Sequence, residues 1–120
     1  MNKKTLVLGA STNPSRYSYL AIQRLIANDY IVRAIGRKEG VVSGVKIHTA
    51  KKIFKDIDTI TLYINKKNQV DFYDYILEFK PKRVLFNPGT ENVELENLLS
   101  QNNIAFESAC TLVLLGIGEY

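Results

Sequence analysis

Short apolar runs alternate with helical patterns along this 120-residue chain, and that alternation restricts its fold more than any other feature. The runs are Thr5–Gly9, Ile31–Ile35, Thr59–Ile64, Arg83–Phe86 and Ile104–Glu107, most of them rich in Val, Ile or Leu, as strands buried on both faces are. Helical spacing between them predicts helices over Tyr19–Asn28, Gln69–Phe79 and Asn92–Gln101, with a shorter one near Ala50–Phe54. Asn28-Asp29 and Asn102-Asn103 close two of these with residues that tolerate a left-handed backbone, and Lys80-Pro81 stops a third. Ser43-Gly44, between Val41-Val42 and Val45, marks a small turn after the second strand. Such alternation with short links predicts a doubly wound, Rossmann-like α/β fold, with five parallel strands in spatial order 3-2-1-4-5 and helices on both faces. The length suits one domain over residues 1–120, with no room for a separate substrate domain.

In such a fold ligands bind outside the carboxyl ends of the strands, here near a switch expected between the first and fourth strands. Gly9–Ser18, Gly36–Gly40, Tyr63–Asn68 and Asn87–Asn92 converge on that edge. The first is the most informative: a strand stops at Gly9, passes through small polar residues with one arginine, and opens into a helix. Unpaired N–H groups at a helix start, reinforced by the helix dipole, attract anions. Gly9 permits a sharp turn and a close backbone approach, and Arg16 adds a planar fork of donors suited to phosphate.

Composition removes several classes. The apolar fraction is 46% and the charged fraction 23%, ordinary globular values. There is no apolar run of membrane-spanning length, and Met1-Asn-Lys-Lys leads into the first strand without a signal-peptide core, so a cytoplasmic protein is expected. One cysteine permits no internal disulfide and no multi-thiolate zinc site, and one histidine, His48, removes most metal and triad schemes. The net charge of +4 is uneven: residues 1–67 hold 13 Lys+Arg against 4 Asp+Glu, and residues 68–120 hold 3 against 8. No helix-turn-helix or aromatic-basic ribonucleoprotein motif accompanies the basic half, so nucleic acid is not an expected partner.

The first loop is neither of the two common nucleotide motifs. A dinucleotide fingerprint needs Gly-x-Gly-x-x-Gly, but Ser11 and Pro14 stand at the later positions. The acidic residue that holds a cofactor ribose is also missing, since the second strand ends Ile35-Gly36-Arg37-Lys38. No Gly-Lys-Ser/Thr follows Gly9, which excludes a Walker loop. An arginine after the second strand suits the 2′-phosphate of NADP or another ribose phosphate. A minimal NADP-dependent reductase therefore stays open as the alternative, against which stand the missing glycines and the lack of a proton donor.

The run from Gly9 to Ser18 resembles the first loop of the small CoA-binding domain family, akin to the N-terminal domain of the succinyl-CoA synthetase alpha subunit. Asn87-Pro88-Gly89-Thr90-Glu91-Asn92 and Glu107-Ser-Ala-Cys110-Thr111 extend the resemblance over nearly the whole chain. It implies non-catalytic binding of coenzyme A or an acyl-CoA. Gly9, Ala10, Ser11, Pro14, Arg16 and Ser18 would surround the phosphates. Gly36, Arg37 and Lys38 would lie by the adenosine 3′-phosphate, and Tyr63, Ile64 and Asn65 would flank the adenine or the pantetheine arm. The chain departs from the family's usual Asn-Pro-Lys after the second strand, where Gly36-Arg37 replaces the first two residues. No catalytic or metal-binding residue is identified, and a protein partner stays unknown. Cys110 precedes a closing helix from Thr111 and reads either as small buried packing or as a reactive thiol.

Overall fold

Leu6-Val-Leu8 carries only aliphatic side chains, and it lies in the central strand β1 (Thr5–Ala10), where both faces are covered. The computed structural model describes residues 3–120. Along the chain follow α1 (Tyr17–Ala27), β2 (Val32–Gly36), β3 (Gly40–Val42), β4 (Val45–His48), β5 (Thr59–Leu62), α2 (Lys66–Gln69), a 3-10 turn Val70–Phe72, α3 (Tyr73–Phe79), β6 (Arg83–Phe86), α4 (Val93–Gln101), β7 (Ala105–Ser108) and α5 (Thr111–Gly116). The described residues build one seven-stranded sheet in the order β3-β4-β2-β1-β5-β6-β7. Every pairing is parallel except β3 with β4, so the fold is α/β, Rossmann-like, with a mixed and mostly parallel sheet.

The expected five-stranded, all-parallel sheet in order 3-2-1-4-5 is therefore corrected. Ser43 and Gly44 both have positive φ (49° and 80°), the backbone of a two-residue hairpin turn, so the residues flanking the turn pair as β3 and β4. β4 then takes the place beside β2 that was expected for the Thr59 strand. That strand, β5, pairs with the other side of β1, and the switch in strand order falls between β1 and β5. No helix forms near Ala50–Phe54, which runs as coil. The helix expected over Gln69–Phe79 is broken into α2, the 3-10 turn and α3.

Strand alternation divides the core in two. Leu6 and Leu8 of β1 join Tyr75 and Ile76 of α3 and Leu95 and Leu99 of α4. Val7 joins Ile22 and Leu25 of α1, with Leu114 and Leu115 of α5 against them. Ala10 falls in Val7's cluster rather than Leu8's, because the register with β2 shifts between Leu8 and Ala10. At the far edge Tyr120 holds the strand starts together: its hydroxyl meets Thr5 Oγ1 at 2.6 Å, and the Arg83 guanidinium lies 4.4 Å from its ring centre.

Candidate functional site

The irregularity in β1 is centred on Gly9, whose φ of 101° suits glycine. Its missing side chain makes room for the chain's own backbone. A Cβ there would lie 2.7 Å from the Tyr63 carbonyl carbon and 2.8 Å from Ile64 Cγ2. Tyr63 N–H donates to the Leu8 carbonyl at 2.8 Å, which ties the end of β5 to β1. Gly36 does the same on the other side, since a Cβ there would lie 2.3 Å from the Ala10 carbonyl oxygen. Gly40 leaves space for Thr12, which seats the first loop on β3. Three strand ends thus close up on one point.

A cleft of about 290 Å³ opens at that point. Ile35, Ile64 and Phe72 give it apolar walls, Gly9 and Gly36 a backbone floor, and Arg37, Thr49, Asn68 and Asp71 its polar groups. Beside it the first loop is held by its own side chains. Ser11 Oγ accepts from Asn13 N–H at 3.0 Å, and Asn13 Oδ1 accepts from Ser15 N–H at 3.0 Å and Ser15 Oγ at 2.8 Å. α1 starts after Arg16, which makes no side-chain cap, and its first turn carries no acidic residue. An N-terminus so arranged keeps its partial positive charge available to an anion.

Of the twelve residues expected at the site, Gly9, Gly36, Arg37 and Ile64 line the cleft. Ser11, Pro14 and Arg16 lie on the loop leading to α1, Pro14 and Arg16 exposed and Ser11 half-buried; Ser18 is buried in the first helical turn. Ala10 is core, its carbonyl lying under Gly36. Lys38 is exposed next to Arg37, outside the lining. Asn65 caps α2, its side chain accepting from Asn68 N–H at 2.9 Å. Tyr63 packs with the α1 and α5 cluster, on the other face of the sheet from Ile64.

Sequence reasoning places Asn68 at this edge only as the end of the Tyr63–Asn68 loop, and it does not single out Ile35, Thr49, Asp71 or Phe72. Thr49 follows a strand whose sequence reads as a turn, and Phe72 carries the pattern of helix packing. A buried polar network holds their segment in place. Gln69, fully buried, donates to the carbonyls of Ile64 (2.9 Å) and Thr90 (2.7 Å). Asn92 Nδ2 meets Gln69 Oε1 and Tyr73 Oη, each at 2.9 Å, while Asn92 Oδ1 caps α4 through Leu95 N–H. Two buried amide side chains thus fix the cleft wall, a role that an Asn or Gln in sequence does not disclose.

On the opposite face Asn87 ties three elements together. Its Nδ2 donates to Thr61 Oγ1 (2.6 Å) and the Leu62 carbonyl (2.8 Å), and its Oδ1 accepts from Thr111 N–H (2.9 Å). The Tyr63 hydroxyl is buried beside Thr111 and Thr61 without a hydrogen bond of good geometry to either, and burial pushes its pKa well up. Cys110 is half-buried at the cap of the six-residue α5.

The mostly parallel sheet, with a glycine turn after its central strand and a cleft at the switch in strand order, is that of a Rossmann-like α/β fold. A family model described as "CoA binding domain" matches residues 3–116, and the chain belongs to that family. A solved structure described as an uncharacterized protein is 49% identical, with a TM-score of 0.97, over 100% of this chain and 99% of that one. A hypothetical protein from Pyrococcus horikoshii OT3 shares the fold at 22% identity and a TM-score of 0.83, over 92% of this chain and 79% of that one. The dinucleotide-forming acetyl-coenzyme A synthetase 1 of Ca. Korarchaeum cryptofilum shares it too, at 16% identity and a TM-score of 0.71, with 89% of this chain lying on 26% of that one. No curated protein matches the sequence.

Proposed function

We propose that residues 1–120 form a single domain that binds coenzyme A, free or acylated, without carrying out chemistry on it. The observation that carries this reading is the meeting of Gly9, Gly36, Arg37 and Ile64 in one cleft beside the open N-terminus of α1. The residues present fit the group. Ile35, Ile64 and Phe72 suit the two faces of an adenine, and Arg37, with Lys38 next to it, suits the ribose 3′-phosphate. The α1 N-terminus and Arg16 suit the pyrophosphate. A cleft of about 290 Å³ takes the nucleoside end alone, so the pantetheine arm runs outside it, past the loop. Gly9, Ala10, Ser11, Pro14, Ser18, Tyr63 and Asn65 act in this reading by shaping the strand ends and loop.

Thermal scanning with coenzyme A, dephospho-coenzyme A, NADP and NAD tests the reading. A ligand at a hundredfold excess over its Kd adds about 2.7 kcal/mol, or a rise on the order of 10 °C for a domain of this size. Coenzyme A should give the largest shift. A larger shift with NADP would replace this reading with that of a minimal reductase, since Arg37 suits either phosphate.

A further inference from the structure

Parallel α/β sheets cover both faces with helices, and one part of this sheet lacks that cover. The chain passes from β2 to β5 through the β3–β4 hairpin and the coil of residues 49–58, with no helix between. Val32, Ala34, Val42, Val45 and Ile47 point into the core on the α1 side. Alternation therefore puts Arg33, Val41, Lys46 and His48 on the opposite face, with Val41 and Lys46 as cross-strand partners. Val41 is 66% exposed and Lys46 is exposed, while Arg33 and His48 are half-buried. Phe54 of the coil leans on the His48 ring, 5.6 Å between centres.

Charge on this face is one-sided. Burial lowers the His48 pKa, and Lys52, Lys46 and Arg33 lower it further against a single opposing carboxylate, Glu39. At the strand starts, toward α1, a second hollow of about 470 Å³ is lined by Ile26, Tyr30, Val32 and Val45, with Arg33 and Lys46 at its border.

We infer that this helix-free face docks a protein partner through an acidic segment bearing an aliphatic side chain. Carboxylates would meet Arg33, Lys46 and Lys52, and the aliphatic group would cover Val41. Charge complementarity carries the assignment, because Arg33 and Lys46 lie on this face and Lys52 stands close to His48, with Glu39 the one carboxylate acting on that ring. Single-stranded nucleic acid also seeks cations, but its bases need aromatic platforms. The exposed apolar group here is the aliphatic Val41 on the edge strand β3, and the His48 ring is engaged by Phe54. Thr49, which lines the cleft, directly follows His48, so such a partner would sit next to the cleft.

The test uses the full ¹⁵N-labelled chain titrated with a synthetic peptide of alternating Glu and Leu. Parallel arms take a Lys-Leu peptide of equal length and a short single-stranded RNA. The acidic peptide should move the amide signals of Arg33, Val41, Lys46 and Lys52. Lys46→Glu and Lys52→Glu should each weaken it on the order of tenfold, with Lys82→Glu, at the start of β6, unchanged. Val41→Asp gives an independent loss should a lysine variant fail to fold. Signals that move evenly over all lysines, an equal loss in Lys82→Glu, or tighter binding of RNA at this face would each overturn the inference. None of these outcomes depends on what occupies the cleft.

Discussion

Replacing Gly9 by Ala separates the two demands that the structure places on that residue. One is conformational: at φ 101° an L side chain is strained, at a cost of about 1–2 kcal/mol. The other is steric: the new Cβ would stand 2.7 Å from the Tyr63 carbonyl carbon and 2.8 Å from Ile64 Cγ2, and overpacking of this kind costs about 1–3 kcal/mol. The sum is about 3 kcal/mol. With an unfolding entropy near 2.1 cal/mol/K per residue, 120 residues lose roughly 4 °C of Tm per kcal/mol, or about 12 °C in all. Gly44→Ala is the matched control, since Gly44 has φ 80° but nothing within 4 Å of the point where a methyl group would stand. It should lose about 4 °C. Differential scanning calorimetry of the two variants measures the contrast, and coenzyme A titration should show weaker binding for Gly9→Ala alone, because Ile64 is a cleft wall. Equal melting of the two variants would refute the argument, since the β1–β5 contact would then be giving way freely.

Three further outcomes are expected. Arg37→Ala should weaken coenzyme A by about 1.5–3 kcal/mol yet leave dephospho-coenzyme A nearly unaffected, and calorimetry showing equal losses would remove Arg37 from the 3′-phosphate. Tyr63→Phe should leave stability unchanged or raise it, because the buried hydroxyl it removes has no partner; a loss above about 1 kcal/mol in chemical denaturation would assign it one. Burial raises the pKa of Tyr63, Tyr120 and Tyr73, and that of Tyr75 to about 12. The folded state thus keeps protons that the unfolded chain releases near pH 10, so stability is full below about pH 10 and falls as the pH rises toward 12. Denaturation curves across that range should show the fall, with a smaller slope in Tyr75→Phe, and a flat profile would contradict it.

The sequence by itself determined what depends on local pattern. Aliphatic runs such as Leu6-Val-Leu8 specify buried strands, and Gly9 with the polar loop after it specifies a strand-to-helix turn. Local pattern also located α1, α4 and the start of α5 to within a residue or two. Strand order was decided elsewhere. A run such as Thr59–Leu62, buried on both faces, fits equally well beside β2 or beside β1. The choice fell to the Ser43-Gly44 hairpin, whose short strands bury one face only and so carry a weak signal. Cleft walls from Thr49, Asn68, Asp71 and Phe72 depend on that order, and on a Gln69–Asn92 bond between residues 23 positions apart. The destination of Tyr63 was likewise tertiary: the alternation of β5 carries past its end, so that Leu62 and Ile64 join one cluster and Tyr63 the α1 and α5 cluster on the other face.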